Sequence, residues 1–274
     1  MTDVRYVNSN NQSINLLADK LRVTSGTLHD RKWKTSSDDL YPEEVDKESV
    51  TYDLTITLRG SLESRKQQLD DMCDLFEYDL VNKQLGRLYF GSYYIRCYIL
   101  TSRTGVSSTF NNWTDVAVGV YCPKQQWIRE NAFSFLKEDD LQAQTDDSKT
   151  YSYSYSYVYG KASGVDTISV DSLKNCDFLM RIYGAVSSPS VEIAGHLYNV
   201  DCEIASGEYL VIDSINSEIY IVGLTGKKTN VFNSRNKESN VFEKIKPGLN
   251  AITWSAGFGF DLIVYDERGE PRWI

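Results

Sequence analysis

Between residues 50 and 58 the chain alternates strictly, with Val50, Tyr52, Leu54, Ile56 and Leu58 set against Thr51, Asp53, Thr55 and Thr57. A period of two puts the first set on one face, which predicts a half-buried strand. After Gly60 the period lengthens. Leu69, Met72, Cys73, Phe76 and Leu80 recur at three- and four-residue steps, which predicts one amphipathic helix over about 62–80, with Ser61 as N-cap before Leu62 and Glu63. Gly86-Arg-Leu-Tyr-Phe-Gly91 and residues 93–100 then read as a hairpin turning at Gly91 and Ser92, followed by strands at 115–122 and 127–136. Residues 1–35 show only scattered apolar positions (Val4, Tyr6, Val7, Ile14, Leu16, Leu17, Leu21, Val23). On that pattern, the strand 50–58 is expected to expose a hydrogen-bonding edge if the sheet stays open in a monomer.

The second half shows no helix longer than a turn or two. Short strands are expected at 151–159, 178–185, 190–194, 197–204, 208–213, 218–223, 251–255 and 258–265, punctuated by Gly207, Gly226, Pro247-Gly248 and Gly257. That spacing predicts a β-sandwich or jelly roll, with Phe178, Tyr183, Tyr209, Tyr220, Phe232, Phe242, Trp254 and Phe260 as aromatic core candidates. Between the halves, residues 138–150 contain only Leu141 and Ala143 as apolar positions, too little surface to offset ordering inside a core. The expected organisation is a β-rich domain 1–137, a linker 138–150 and a sandwich domain 151–274.

Charge narrows the partners. The chain carries 29 Lys+Arg against 38 Asp+Glu, a net −9. Residues 1–137 hold 17 basic and 18 acidic side chains (−1), and residues 138–274 hold 12 and 20 (−8). The one tight basic cluster in sequence is Arg31, Lys32 and Lys34, so specific nucleic-acid binding is not expected. The longest apolar runs, 117–122 and 220–224, fall short of the ~20 residues that span a bilayer, and Met1-Thr-Asp-Val-Arg does not open like a secretory signal. Five cysteines (Cys73, Cys97, Cys122, Cys176, Cys202) without a CxxC pair read as reduced small hydrophobes.

Candidate chemistry is sparse. The two histidines, His29 beside Asp30 and His196 in Gly-His-Leu-Tyr, have no second His or Cys at ligand spacing and no GxSxG elbow for company. Gly160-Lys-Ala-Ser-Gly164 has one residue too many for that elbow, and Gly257-Phe-Gly259 is a turn, not a dinucleotide fingerprint. The predicted helix carries Glu63, Asp70, Asp71, Asp74, Glu77 and Asp79, and Asp70 and Asp74 at i,i+4 offer a bridge for a divalent cation. A solvated acidic face opposite the apolar stripe is the preferred reading, because no metal-loop spacing accompanies them. Tyr151, Tyr153, Tyr155, Tyr157 and Tyr159 form a one-faced aromatic ladder, suited to packing first, then to a subunit contact or to stacking on sugars. Asn11-Gln-Ser13 and Asn112-Trp-Thr114 match the glycosylation sequon without a secretory context. No catalytic, cofactor-binding or metal residue is assigned, no cofactor is implied, and the chain reads as a non-enzyme. Two rivals remain: a carbohydrate-binding module, suggested by the Tyr-rich sandwich and Trp254, and a glycoside hydrolase, whose carboxylate pair only tertiary structure reveals.

The C-terminal run Lys227-Lys-Thr-Asn-Val-Phe-Asn-Ser-Arg-Asn-Lys-Glu-Ser-Asn-Val-Phe-Glu-Lys-Ile-Lys-Pro-Gly-Leu-Asn-Ala-Ile-Thr-Trp254, then Phe258-Gly-Phe-Asp-Leu-Ile-Val-Tyr265 and Glu267-Arg-Gly-Glu-Pro-Arg-Trp-Ile274, resembles the end of the distal tail (Dit) proteins of siphophages. The strand 50–58, the helix 62–80 and the Gly86-Arg-Leu-Tyr-Phe hairpin extend the resemblance over nearly the whole chain. It implies a mainly β fold: an N-terminal tail-tube-like β-barrel or sheet domain with one α-helix, and a C-terminal galectin-like β-sandwich. It further implies a homo-hexameric ring that joins the tail tube to the tip protein (tail-associated lysin) and anchors receptor-binding proteins, in a virion or a prophage-derived tail particle. Sugar binding is not implied, since His196 is followed by Leu-Tyr-Asn and Trp254 by Ser-Ala-Gly, away from the galectin pattern.

Overall fold

The structure, a computed structural model, describes residues 3–30, 34–35, 45–46, 48–105, 112–137 and 164–272. The expected linker 138–150, the strand 151–159 and its tyrosine ladder lie outside these residues. The chain divides into two units: residues 1–129 with 267–274, and residues 130–266.

In the first unit the alternating segment forms the strand Val50–Arg59, with Tyr52, Leu54, Ile56 and Leu58 buried. It pairs along its whole length with Trp113–Cys122, from Arg59↔Trp113 to Val50↔Cys122, and on its other side with Leu21–Gly26. The expectation of an open edge at this strand is therefore corrected. The apolar positions of residues 1–35 are not scattered but build Val4–Val7 and Leu21–Gly26, and the second of these covers the edge. Their short runs and the intervening turns hide the period of two. Tyr93–Thr104 pairs with Gly86–Phe90 across the Gly91-Ser92 turn, and with Trp113–Cys122. Its start, Tyr93–Ile95, also pairs with Trp127, Ile128 and Arg129. Gly91 has φ 59°, the left-handed conformation a two-residue hairpin needs.

The helix runs Leu62–Asn82. The Ser64 N–H donates to Ser61 Oγ at 3.3 Å, satisfying one orphan donor of the first turn, and Lys83 ends the helix in the left-handed region at φ 54°. It lies against Val50–Arg59 and Tyr93–Thr104 and seals the core with Met72 and Phe76, the latter edge-on to Tyr6 at 5.0 Å.

The second unit is a two-sheet sandwich. One sheet runs in the order Lys228–Asn230, Glu218–Val222, Tyr209–Asp213, Asp177–Tyr183, Phe260–Arg268, all antiparallel. The other runs Val165–Val170, Gly248–Trp254, Ser190–Ile193, His196–Asn199. Between them sit Phe178, Met180, Ile182, Val191, Tyr198, Ile252, Trp254 and Phe260. Phe135 also belongs to this core, stacked on Phe260 at 4.4 Å and edge-on to Trp254 at 5.4 Å. The division by composition at 138–150 leaves Phe135 with the first half, whereas packing puts it in the second unit.

Two further expectations change. The single strand 197–204 is broken into His196–Asn199 and Glu203–Ile204, because the Cys202 N–H turns back onto the Val200 carbonyl at 3.0 Å. Tyr183, Tyr209 and Tyr220 are no core residues: Tyr183 is 39% exposed and its phenol donates to the Asp261 carboxylate, the Tyr209 ring lies 6.1 Å from that of Tyr183, and Lys228 sits over the Tyr220 ring. None of the five cysteines forms a disulfide.

Candidate functional site

The polar side chains inside the first unit hold elements together. Asp79 falls on the same helical side as Met72 and Phe76 and is fully buried, so it leaves the expected solvated acidic face. Its Oδ2 accepts the Tyr6 phenol, and its Oδ1 accepts the Ser9 backbone N–H at 2.7 Å and the Ser9 hydroxyl at 2.6 Å. Burial pushes the Tyr6 phenol far above its ordinary value, with Cys97 and the Asp79 carboxylate adding to the effect, so Tyr6 stays a neutral donor. Gly86 makes the approach possible, since a Cβ there would lie 2.2 Å from Tyr6 Oη and 2.4 Å from Asp79 Oδ2. One helical turn from the other end, Arg65 is buried and donates from Nη1 to the Trp113 carbonyl at 2.7 Å and to Thr114 Oγ1 at 2.8 Å. Sequence reasoning missed both residues, although the signal was present: Arg65 precedes Met72 by seven and Asp79 follows it by seven, the spacing of one helix face.

Above Trp113 the surface opens into a shallow cleft of about 690 Å³ walled by Thr24, Thr57, Arg59, Trp113 and Asp115. Thr57 Oγ1 donates to Asp115 Oδ1 at 2.6 Å and lies 3.2 Å from Thr24 Oγ1, while the Trp113 side chain is half exposed. The cleft offers an aromatic face and a threonine hydroxyl held on a carboxylate, with no histidine, cysteine or lysine among its described lining residues.

The sequence-singled residues do not converge. Asp70, Asp71, Asp74 and Glu77 are exposed on the helix, with Asp71 accepting from Gln67 at 2.7 Å. No group of three or more His, Cys, Asp or Glu suited to a metal ion occurs among the described residues. His29 lies edge-on to Phe90 at 4.9 Å, and its burial lowers its pKa against the opposing pull of Glu270 and Asp30. In the second unit, His196 Nε2 lies 2.8 Å from the Asn240 carbonyl and its ring packs edge-on against Tyr198, whose hydroxyl donates to the Glu243 carbonyl. That is a structural histidine. Trp254, the residue behind the carbohydrate reading, is 5% exposed and donates from Nε1 to the Phe258 carbonyl at 3.2 Å. Among the described residues, the outward face of its sheet presents Val165, Thr167, Leu249, Ala251, Thr253 and Glu192, and no aromatic ring on which a sugar could stack. No described helix is long and apolar enough to cross a membrane.

Among the described residues these features define a mainly β, two-unit chain with one long helix. That fold is found among solved structures of phage hub and baseplate proteins. The chain is similar to the SPP1 Dit protein, described as a paradigm of the hub adsorption apparatus in phages infecting Gram-positive hosts. The match covers 98% of this chain and 99% of that one, at 9% identity and a TM-score of 0.58. It is likewise similar to a chain of the phage P2 baseplate in its activated conformation with Ca, covering 99% and 100% at 12% identity and a TM-score of 0.59. No protein-family model and no curated protein matches the sequence.

Proposed function

We propose that this chain is a distal tail (Dit) protein, a structural hub without catalytic activity at the tip of a long phage tail or a prophage-derived tail particle. The observation that carries this reading is an end-to-end likeness of fold to a hub protein and a baseplate chain, covering both units. In the proposed role a homo-hexameric ring joins the tail tube to the tip protein (tail-associated lysin) and anchors receptor-binding proteins, and assembly takes place in the host cytoplasm. The interior of each unit is consistent with this role, since its polar groups bond other parts of the fold and do not line a reaction site. Electron microscopy of the purified full chain tests it. Six-fold rings with an open centre are expected, and antibodies to the chain should label the distal end of assembled tails. A chain that remains monomeric at every concentration and leaves tails unlabelled would overturn the reading.

A further inference from the structure

The two outer sides of the first unit carry opposite charge. Side chains alternate along a strand, so Tyr6, Leu88 and Ile95, which share one cross-strand row, face the helix, while Arg5, Tyr89 and Tyr94 form the next row on the far side. On that far side Arg87 and Arg96 are directly opposite one another in register. Like charges so placed repel. Arg87 donates to the neutral Asn11 Oδ1 at 2.7 Å, and Arg96 is exposed with no hydrogen-bond or ion-pair partner among the described residues. Arg5 adds a guanidinium 4.3 Å from the Tyr89 ring centroid, itself paired with Asp3 at 2.7 Å.

The opposite side is the outer stripe of the helix. At about 100° per residue, Glu63, Asp70, Asp74 and Glu77 lie diametrically across from the buried Arg65, Met72, Phe76 and Asp79. Asp70 and Asp74 are a second self-repelling pair, at i,i+4. The last helical turn holds no basic residue, so the acids toward that end also oppose the helix dipole. Lys66, exposed one turn before Asp70, is the basic residue nearest this stripe, so the stripe is predominantly acidic and carries the charge that the Arg87/Arg96 row lacks.

We propose that the Arg87/Arg96 face of one copy docks on the Asp70/Asp74 stripe of the next copy. The proposal rests on the ring reading above and names the two surfaces that close it. Helix and sheet separate the two faces within one unit, so the contact is head-to-tail and repeats from copy to copy, as a ring requires. The half-buried Tyr89 ring beside the arginines, under the Arg5 guanidinium, adds apolar area around which the charges pair, with the buried Tyr94 ring 5.3 Å from it.

Charge exchange tests it on the full chain, by sedimentation velocity over a concentration series at about 0.05 M and about 0.5 M salt. Wild type is expected to self-associate, less at the higher salt. Arg87→Glu with Arg96→Glu is expected to weaken association about 100-fold or more, and Asp70→Lys with Asp74→Lys by a similar factor. The chain carrying all four changes restores opposite charge and is expected to return to within about tenfold of wild type. Should the Arg87 change disturb folding, as read by circular dichroism, Arg96→Glu alone at its exposed site is expected to weaken association about tenfold. Wild-type association that neither pair weakens, or a fourfold variant as weak as its parents, overturns the docking while leaving the ring standing. A wild type monomeric throughout overturns both.

Discussion

In the first unit, polar bonds cross the core between elements far apart in sequence. Asp79 ties the helix to Tyr6 and Ser9, Arg65 ties it to Trp113 and Thr114, and Gln125 donates to the Asp30 carbonyl at 2.9 Å and to Tyr52 Oη at 3.1 Å. In the second unit two buried polar groups, Asp213 and Asn250, serve their own turns, while Ser214 Oγ accepts the Phe178 N–H at 2.7 Å. Asp213 accepts from the Ile215 and Asn216 N–H groups, and Asn250 donates to the Lys246 and Gly248 carbonyls. Its core is aromatic and aliphatic instead, with Phe135, Trp254, Phe258 and Phe260 in mutual contact. The difference teaches what each unit tolerates. A core crossed by hydrogen bonds is sensitive to loss of a single donor or acceptor, because the abandoned partner stays buried and unsatisfied. An interlocked aromatic core is sensitive to loss of volume.

The largest effect is expected from cutting the chain. A fragment starting at residue 151 lacks Phe135, which stacks in the second core, whereas 130–266 retains it. The longer fragment is expected to give dispersed proton NMR resonances and the shorter one a collapsed spectrum; equal dispersion would show that Phe135 is dispensable. Next in size, Trp254→Ala should cost about 4 kcal/mol. Hydrogen exchange should then rise across the second unit while the first stays protected. Asp79→Ala should cost about 2–3 kcal/mol, from three donors left without an acceptor, with the exchange pattern reversed between the units. Equal loss of protection in both units would break the comparison.

Tyr6 adds a pH test. Its folded-state pKa is raised, so at neutral pH both folded and unfolded forms are protonated and its stabilisation is complete. Above about pH 10 the unfolded phenol loses its proton while the folded one keeps it, so stability falls by about 1.4 kcal/mol per pH unit from this group. Tyr6→Phe should cost about 1–2 kcal/mol at neutral pH and flatten that alkaline slope in urea titrations of the first unit. The smallest effect belongs to the surface. Asp74→Asn should stabilise the chain by about 0.2–0.5 kcal/mol by relieving repulsion from Asp70 and Glu77, visible as a slight rise in Tm.

How far the sequence reveals this design depends on whether neighbours in the chain are neighbours in space. The strand at 50–59, the helix from Ser61 onward and the Gly91-Ser92 hairpin were legible because period and turn chemistry are local. The strands Val4–Val7 and Leu21–Gly26 were not. They are too short to show a period and are defined by partners 80 to 86 and 28 to 37 residues away. Val165–Val170 escaped for a related reason, since only Ile168 and Val170 are buried along it. Trp254 was correctly placed among the core candidates, while Tyr183 was not, because a tyrosine at a strand end is equally served by an Asp261 carboxylate at the surface. The opposition of Arg87 to Arg96 is a matter of register, and no linear reading of charge exposes it.

Residues 267–274 return to the unit that holds residues 1–129, so the chain enters and leaves the second unit within its own interior. Tension applied across residues 3 and 272 therefore loads the first unit, to which both residues belong. Only after the first unit yields does the second begin to bear force. In an optical trap the first rupture should release the contour length of the first unit, with the sandwich extending afterwards as a separate event.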